Sequence, residues 1–210
     1  SLGKYRGEVL RSIRDALVHV MCAILESAVK KENYGVLAEF CRTLTPEDCI
    51  ITLNYDTVID HLIMDYTGQV NYGFSFSRVF GGHQQLYQER KQLLLKPHGS
   101  LNWRYCSRCN NIYLNLDLGA ECCFHRILCP EDEHPLKEVI VTPSYHKKFL
   151  VPQLHDVWMD CFNKIKNADE INFIGYSFPP GDVHIIQLIK RAVLAGEKRP
   201  KINVISPDAQ

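Results

Sequence analysis

The chain lacks several features that would place it in a membrane or on a nucleic acid. No apolar run reaches the roughly 20 residues that a membrane-spanning helix needs, and the N-terminal residues lack the apolar segment of a signal peptide. The formal net charge is zero at pH 7, so no excess of basic residues indicates a nucleic-acid or membrane surface. With 210 residues, 46% of them apolar, the chain is long enough for one large domain with a small insert.

The chain also lacks the glycine-rich turn that binds dinucleotides in many enzymes. No G-x-G-x-x-G sequence occurs, which disfavours a hydride-transferring dehydrogenase. Gly3 and Gly7 flank charged residues and follow no buried strand. A dehydrogenase is therefore the least favoured of the nucleotide-dependent classes.

Cysteine, in contrast, is abundant and unevenly distributed. Five of the nine cysteines fall between positions 106 and 129, and the other four lie singly in apolar contexts that suit core positions. A secreted disulfide scaffold would spread its pairs through a shorter chain. A cluster beside a C-x-x-C pair is instead typical of metal binding in a reducing compartment. We therefore predict reduced thiols and a cytoplasmic protein.

Residues 106–134 are predicted to form a zinc-binding insert. The C-x-x-C pair at its start has the spacing of tetrahedral zinc ligands, but two adjacent cysteines, which rarely bind one ion together, make the second half irregular. The predicted ligands of a structural zinc ion are Cys106, Cys109, Cys123 and Cys129. The alternatives for one of these positions are Cys122, His125 and His134. The competing interpretation is a cluster of free thiols.

Short apolar runs alternate with helical patterns along the rest of the chain. The runs cover 49–53, 93–95, 139–141, 171–174 and 201–205. This alternation predicts an α/β fold, a Rossmann-like and mainly parallel sheet with helices on both faces. Ligands of such sheets bind beyond the carboxyl ends of the strands. Because Asn54–Asp56, His98–Ser100 and Gly175–Ser177 follow three of the runs, we expect them to converge on one crevice.

Each of these motifs also has a purely structural explanation. Asn54 and Asp56 are typical of a turn, and an isolated histidine such as His98 is more often structural than catalytic. The segment after Gly175 fits a loop between a strand and a helix, with Asp182 as the predicted N-cap. The functional interpretation therefore depends on the order of the motifs and not on any one of them.

Taken in order, the motifs resemble those of sirtuins. Thr52-Leu-Asn-Tyr-Asp56 is similar to the Thr-Gln-Asn-Ile-Asp segment of that family, and Lys96-Pro-His-Gly-Ser100 is similar to its His-Gly segment. A C-x-x-C knuckle follows, and Gly175-Tyr-Ser177 resembles the sirtuin Gly-Thr-Ser segment. The likeness spans about residues 49–208, and it is greatest to the sirtuin-like domains of prokaryotic defence proteins.

The resemblance implies an NAD-binding domain over 1–105 and 135–210 that breaks the nicotinamide–ribose bond of NAD. In that role Asn54 would hold the nicotinamide ribose and position a water molecule, and Asp56 would support the pocket. His98 would act as the general base, which its near-neutral pKa range suits. The residues expected to contact NAD are Thr52, Asn54, Asp56, Gly99, Gly175, Ser177, Ser206 and Asp208.

Two departures from the sirtuin pattern leave other functions open. The Gly-Ala-Gly-x-Ser loop that cradles the pyrophosphate is missing, so we expect either a truncation before Ser1 or an unusual mode of NAD binding. The chain reads Val141-Thr-Pro-Ser-Tyr145 where deacylating sirtuins have Phe-Gly-Glu, which disfavours peptide deacylation. The main hypothesis is an NAD glycohydrolase, and the alternative is a module that only binds NAD or ADP-ribose or mediates assembly. Both hypotheses are compatible with fused or partner effector domains and with an oligomer.

Overall fold

The computed structural model describes residues 34–80, 92–116, 127–141 and 151–206, together with part of the stretch 9–24. The described residues of that stretch are helical. Four residues of the predicted sites lie outside the described residues: Cys122, Cys123, His125 and Asp208.

Four helices follow in the described part of the chain from residue 34 onwards. They are α1 (Gly35–Thr43), α2 (Val58–Thr67), α3 (Pro152–Lys166) and α4 (Val183–Ala195). The longest, α3, starts at a proline, which is well tolerated in the first turn because that N–H has no partner within the helix. Its buried residues recur at three- and four-residue spacing and form one apolar face: Leu154, Val157, Cys161 and Ile165. No helix within the described residues is long and apolar enough to cross a membrane.

Two groups of parallel strands confirm the predicted α/β fold. In the first, β1 (Cys49–Ile51) and β2 (Val70–Asn71) pair on either side of β4 (Gln92–Leu95). In the second, β8 (Glu170–Ile174) pairs with β9 (Lys201–Ile205). The runs predicted at 49–53, 93–95, 171–174 and 201–205 are therefore all strands with parallel partners.

A mixed four-stranded sheet follows the first parallel group. Its order is β3 (Arg78–Phe80), β6 (Ile112–Asn115), β5 (Gly99–Tyr105) and β7 (Lys137–Ile140). The run predicted at 139–141 lies in this sheet, where β7 is antiparallel to β5 instead of joining the parallel strands. A run of three apolar residues does not specify the direction of its partner, and here the chain returns from the cysteine-rich segment alongside β5.

The main apolar core is centred on Trp103 of β5, which is completely buried. The rings of Tyr72, Phe74 and Phe76 surround its indole, with centroid distances of 5.4, 5.0 and 5.9 Å. Pairs of this kind stabilise a core beyond the area that they bury. The cluster packs the segment after β2 against β5, and β5 begins directly after the predicted catalytic histidine.

Gly99 has a structural role that the sequence did not show. Its φ is +84°, and a Cβ atom there would lie only 1.9 Å from the carbonyl oxygen of Val139. We expect Gly99→Ala to lower the free energy of unfolding by at least about 2 kcal/mol, from backbone strain and displacement of β7. Urea unfolding measures the effect, with Gly181→Ala as the control because a Cβ atom at that position would meet no other group within 4 Å. Equal stability of the two variants would contradict this role.

Candidate functional site

The loop that carries Asn54 and Asp56 continues directly from β1. The N–H of Thr52 donates to the carbonyl of Leu95 at 3.0 Å, which extends the pairing with β4 beyond the strand. The Thr52 hydroxyl then accepts the N–H of Asn54 at 3.2 Å, and Asp56 Oδ1 accepts the N–H of Val58 at 3.1 Å as α2 begins. Thr52 and Asp56 therefore shape the loop, while the side chain of Asn54 is exposed and free to meet a ligand.

His98 lies in a tight turn between β4 and β5. The N–H of Gly99 donates to the carbonyl of Lys96 at 2.9 Å and closes the turn. The carbonyl of His98 accepts the N–H of Val141 at 2.8 Å, and the indole N–H of Trp158 donates to the carbonyl of Pro97 at 2.9 Å. Two backbone N–H groups and the Trp158 indole hold the turn through its carbonyls, and His98 is only 5% exposed.

Tyr55 joins these two segments. Its carbonyl accepts the N–H of Leu101 at 2.9 Å, and its hydroxyl donates to the carbonyl of Val141 at 2.7 Å. The centroids of the Tyr55 and His98 rings are 6.3 Å apart. The structure therefore brings the first two predicted motifs side by side, and Tyr55, which sequence reasoning treated only as part of a motif, is the residue between them.

The third motif follows β8 and precedes α4. Gly175 has a φ of +64° and its N–H donates to the carbonyl of Ile205 at 2.8 Å, while Ser177 is exposed. Burial, and secondly the negative charge of Asp182, raise the pKa of Tyr55 to about 12. Ser206, directly after β9, is half-buried.

Asp182 does not act as the helix cap that the sequence predicted. Its side chain makes no capping hydrogen bond at the start of α4. The chain enters the helix through a short 3-10 turn, Pro180–Asp182, and the carboxylate accepts the hydroxyl of Tyr176 at 3.2 Å. Asp182 therefore stands at the predicted N-cap position of α4, but its side chain bonds to Tyr176 and makes no capping hydrogen bond.

A cluster of four metal-binding side chains occupies the cysteine-rich segment. The ligand atoms of Cys106, Cys109, Cys129 and Asp132 all lie within 4.8 Å of one another. The sulfur atoms of Cys109 and Cys129 are 3.6 Å apart, and the Cys106 sulfur is 3.5 Å from Asp132 Oδ1. Since sulfur ligands at about 2.3 Å from tetrahedral zinc stand about 3.8 Å apart, the arrangement fits a zinc ion.

The backbone at the two halves of the cluster repeats the same geometry. In the first half the N–H of Asn110 donates to the Cys106 carbonyl at 3.0 Å, and in the second the N–H of Glu133 donates to the Cys129 carbonyl at 2.9 Å. Asn110 and Glu133 both have positive φ, of 61° and 56°. Cys129-Pro-Glu-Asp132 is therefore a second knuckle in which Asp132 occupies the position that Cys109 has in the first.

Asp132 is the member of this cluster that the sequence analysis missed. The signal was present, because Cys129 and Asp132 have the spacing of the C-x-x-C pair with a carboxylate in the second position. The predicted ligand Cys123 lies outside the described residues, and the alternative His134 is not in the cluster, since its Nε2 is 3.3 Å from the Ser107 hydroxyl. A hydrogen bond from the backbone N–H of His134 lowers the pKa of Asp132, which favours the charged form that binds metal.

Sequence reasoning also missed a buried ion pair between Lys96 and Asp60, which lies behind the first two motifs. The first signal was a lysine directly after the apolar run 93–95. An aspartate three residues before Ile63, on the buried side of α2, was the second signal. A charge at a core position of this kind is rarely tolerated without a partner.

Two solved structures are similar to the chain, described as "Sir2 bound to acetylated peptide" and "The Structural basis of Sirtuin Substrate Affinity". The first has a TM-score of 0.42 and 13% identity, over 89% of this chain and 60% of that chain. The second has a TM-score of 0.43 and 14% identity, over 82% of this chain and 57% of that chain. The chain thus spans about three fifths of the length of these proteins.

No curated protein matches the chain in sequence. The family model described as a SIR2-like domain matches residues 48–210, which include all three polar motifs and the cysteine cluster. Membership of this family supports a sirtuin-like NAD-binding module. Since the match covers well over half of the sequence, the chain belongs to the SIR2-like domain family.

Proposed function

We propose that the chain is an NAD glycohydrolase, which hydrolyses the nicotinamide–ribose bond to give nicotinamide and ADP-ribose. The main support for the proposal is that Tyr55 brings the Asn54 loop and the His98 turn next to each other. An exposed carboxamide and an imidazole on adjoining segments are suited to hold a ribose and to activate water. Membership of the SIR2-like family supports NAD as the ligand.

In the proposed reaction the bond between C1′ of the ribose and the nicotinamide nitrogen breaks, and its electron pair leaves with nicotinamide. A water oxygen bonds to C1′, and His98 accepts the proton that the water loses. Nicotinamide is an electron-poor leaving group, so positioning of the ribose and stabilisation of an oxocarbenium-like state supply much of the rate. Asn54 positions the water and the ribose, and Asp56 supports the pocket by fixing the loop at the start of α2.

The remaining predicted contacts are proposed for the adenosine side of NAD. Gly175 and Ser177 lie at the end of β8, and Ser206 follows β9, so these residues lie beyond the carboxyl ends of a parallel pair. This is the edge at which α/β sheets bind ligands. Residues 106–134 are proposed as a separate zinc-binding insert, whose ion would be structural because four protein ligands leave no open coordination position.

The proposal is tested by incubating the full chain with NAD and measuring free nicotinamide by chromatography, with and without an acetyl-lysine peptide. We expect release that does not depend on the peptide. Release that requires the peptide and yields deacetylated product would identify a deacylase. NAD binding by calorimetry without any release would support the binding module, which the missing glycine-rich loop favours.

A further inference from the structure

A fully buried ion pair lies directly behind the two proposed catalytic segments. The Lys96 ammonium is 3.0 Å from Asp60 Oδ2, and the two side chains are 0% and 1% exposed. Removing both charges from water is costly, and a buried pair of this kind is often no more stable than apolar residues of similar volume. Its presence therefore requires an explanation other than stability.

Lys96 contacts both segments at once. Its ammonium donates a hydrogen bond to the backbone carbonyl of Asp56, at the end of the Asn54 loop. Its own carbonyl accepts the N–H of Gly99 at 2.9 Å and so closes the turn that holds His98. One residue thus fixes the loop through its side chain and the turn through its backbone.

The pair is held in turn by a buried polar network. The Tyr72 hydroxyl donates to Asp60 Oδ1 at 2.7 Å, and the Asn102 amide donates to the Tyr72 oxygen at 3.4 Å. Burial, and secondly the charge of Asp60, raise the pKa of Tyr72 well above its ordinary value, so the phenol stays protonated and continues to donate. The network ties α2, the segment after β2 and strand β5 to Lys96, which leaves the ammonium little freedom to move.

We propose that Lys96 is a positioning residue that sets the Asn54–Asp56 loop against His98, an inference that rests on the proposed glycohydrolase function. An apolar pair at positions 60 and 96 fills the same space, but it leaves the Asp56 carbonyl without its donor and removes Asp60 as the acceptor of the Tyr72 hydroxyl. Without that donor the Asn54–Asp56 loop is free to shift relative to His98. A displacement of a catalytic group by about 1 Å lowers a reaction rate by about 100-fold. Asp60 acts through Lys96 by holding its ammonium in place.

The test compares the double variant Lys96→Met/Asp60→Leu with the wild-type chain. The single variant Lys96→Met leaves a buried carboxylate unpaired and is expected to fold poorly. The double variant removes both charges and is expected to melt at a higher temperature than the single variant. We expect kcat for nicotinamide release to fall about 100-fold in the double variant, with KM changed less than about threefold. Lys198→Met, which removes an exposed pair with Asp169, is the matched control and should leave both constants unchanged.

Hydrogen exchange of the peptide covering residues 52–58 provides a second measurement that needs no activity. The N–H groups of Asn54 and Val58 are bonded within the loop, so its loosening in the double variant should speed their exchange about tenfold or more relative to the control. Unchanged exchange overturns the proposal, whatever happens to turnover. Unchanged kcat in an active enzyme also overturns it. Absence of release from the wild-type chain counts against the proposed function alone, because the exchange result still decides whether Lys96 positions the loop.

Discussion

Replacing His98 with alanine is expected to lower the rate of nicotinamide release by about 10²- to 10⁴-fold, the range that a positioned general base contributes. The fold should survive the change. The carbonyls of Lys96, Pro97 and His98 accept three hydrogen bonds that hold the turn, and the substitution leaves these carbonyls in place. The variant therefore loses the imidazole and keeps the turn.

The measurement is steady-state nicotinamide release together with NAD binding by calorimetry, for the wild-type chain and the variant. His155→Ala is a suitable control because His155 lies on the exposed side of α3. We expect binding to persist in both variants and release to be lost only in His98→Ala. Turnover equal to that of wild type would remove His98 from the mechanism and leave Asn54 and Asp56 as the remaining candidates on these two segments.

Removal of zinc is expected to unfold the knuckles around Cys106 and Cys129. A structural zinc ion contributes about 10–16 kcal/mol in zinc-finger peptides at neutral pH, and much of that free energy is folding free energy. The four ligands bring together two turns that are 23 residues apart along the sequence, from Cys106 to Cys129, and three of the ligands are thiols whose charged forms repel one another without a cation. We therefore expect one zinc ion per chain by atomic emission and a lower melting temperature after chelation.

Asp132→Ala tests the fourth ligand separately. Loss of a group that only hydrogen-bonds to a metal ligand lowers metal affinity by about 10- to 100-fold. Loss of a direct ligand should therefore lower the affinity more than tenfold. Glu131→Ala, an exposed carboxylate on the same turn, is the matched control and should bind zinc normally. Unchanged affinity in Asp132→Ala would place the fourth ligand elsewhere, with Cys123 as the next candidate. A chain that contains no metal and whose melting is insensitive to a chelator would support a cluster of free thiols.

The types of most elements follow from local sequence patterns. The apolar runs at 49–53, 93–95, 171–174 and 201–205 form strands with parallel partners, and the three- and four-residue spacing of apolar residues in α3 matches its buried face. Hydrophobic periodicity is a local property, so these elements could be found without knowledge of their neighbours. The C-x-x-C spacing likewise indicated Cys106 and Cys109.

Other features depend on residues that are distant in sequence. The strand β7 is antiparallel because β5 is its partner, and a run of three apolar residues holds no information about that partner. Asp132 could have been proposed from its spacing to Cys129. Only the repeated backbone geometry shows that it occupies, in the second knuckle, the position that Cys109 has in the first. Lys96 and Asp60 are 36 residues apart, and only their burial in one core shows that they form a pair.

The sequence by itself determined the α/β class of this protein, the order of its three polar motifs and three of the four residues of its candidate metal site. The tertiary structure decided which motifs meet, through Tyr55, and which residues hold them in place. The physical reason is that secondary structure depends on periodicity over a few residues. A site depends instead on hydrogen bonds and burial between segments whose separation in the chain does not specify their separation in space.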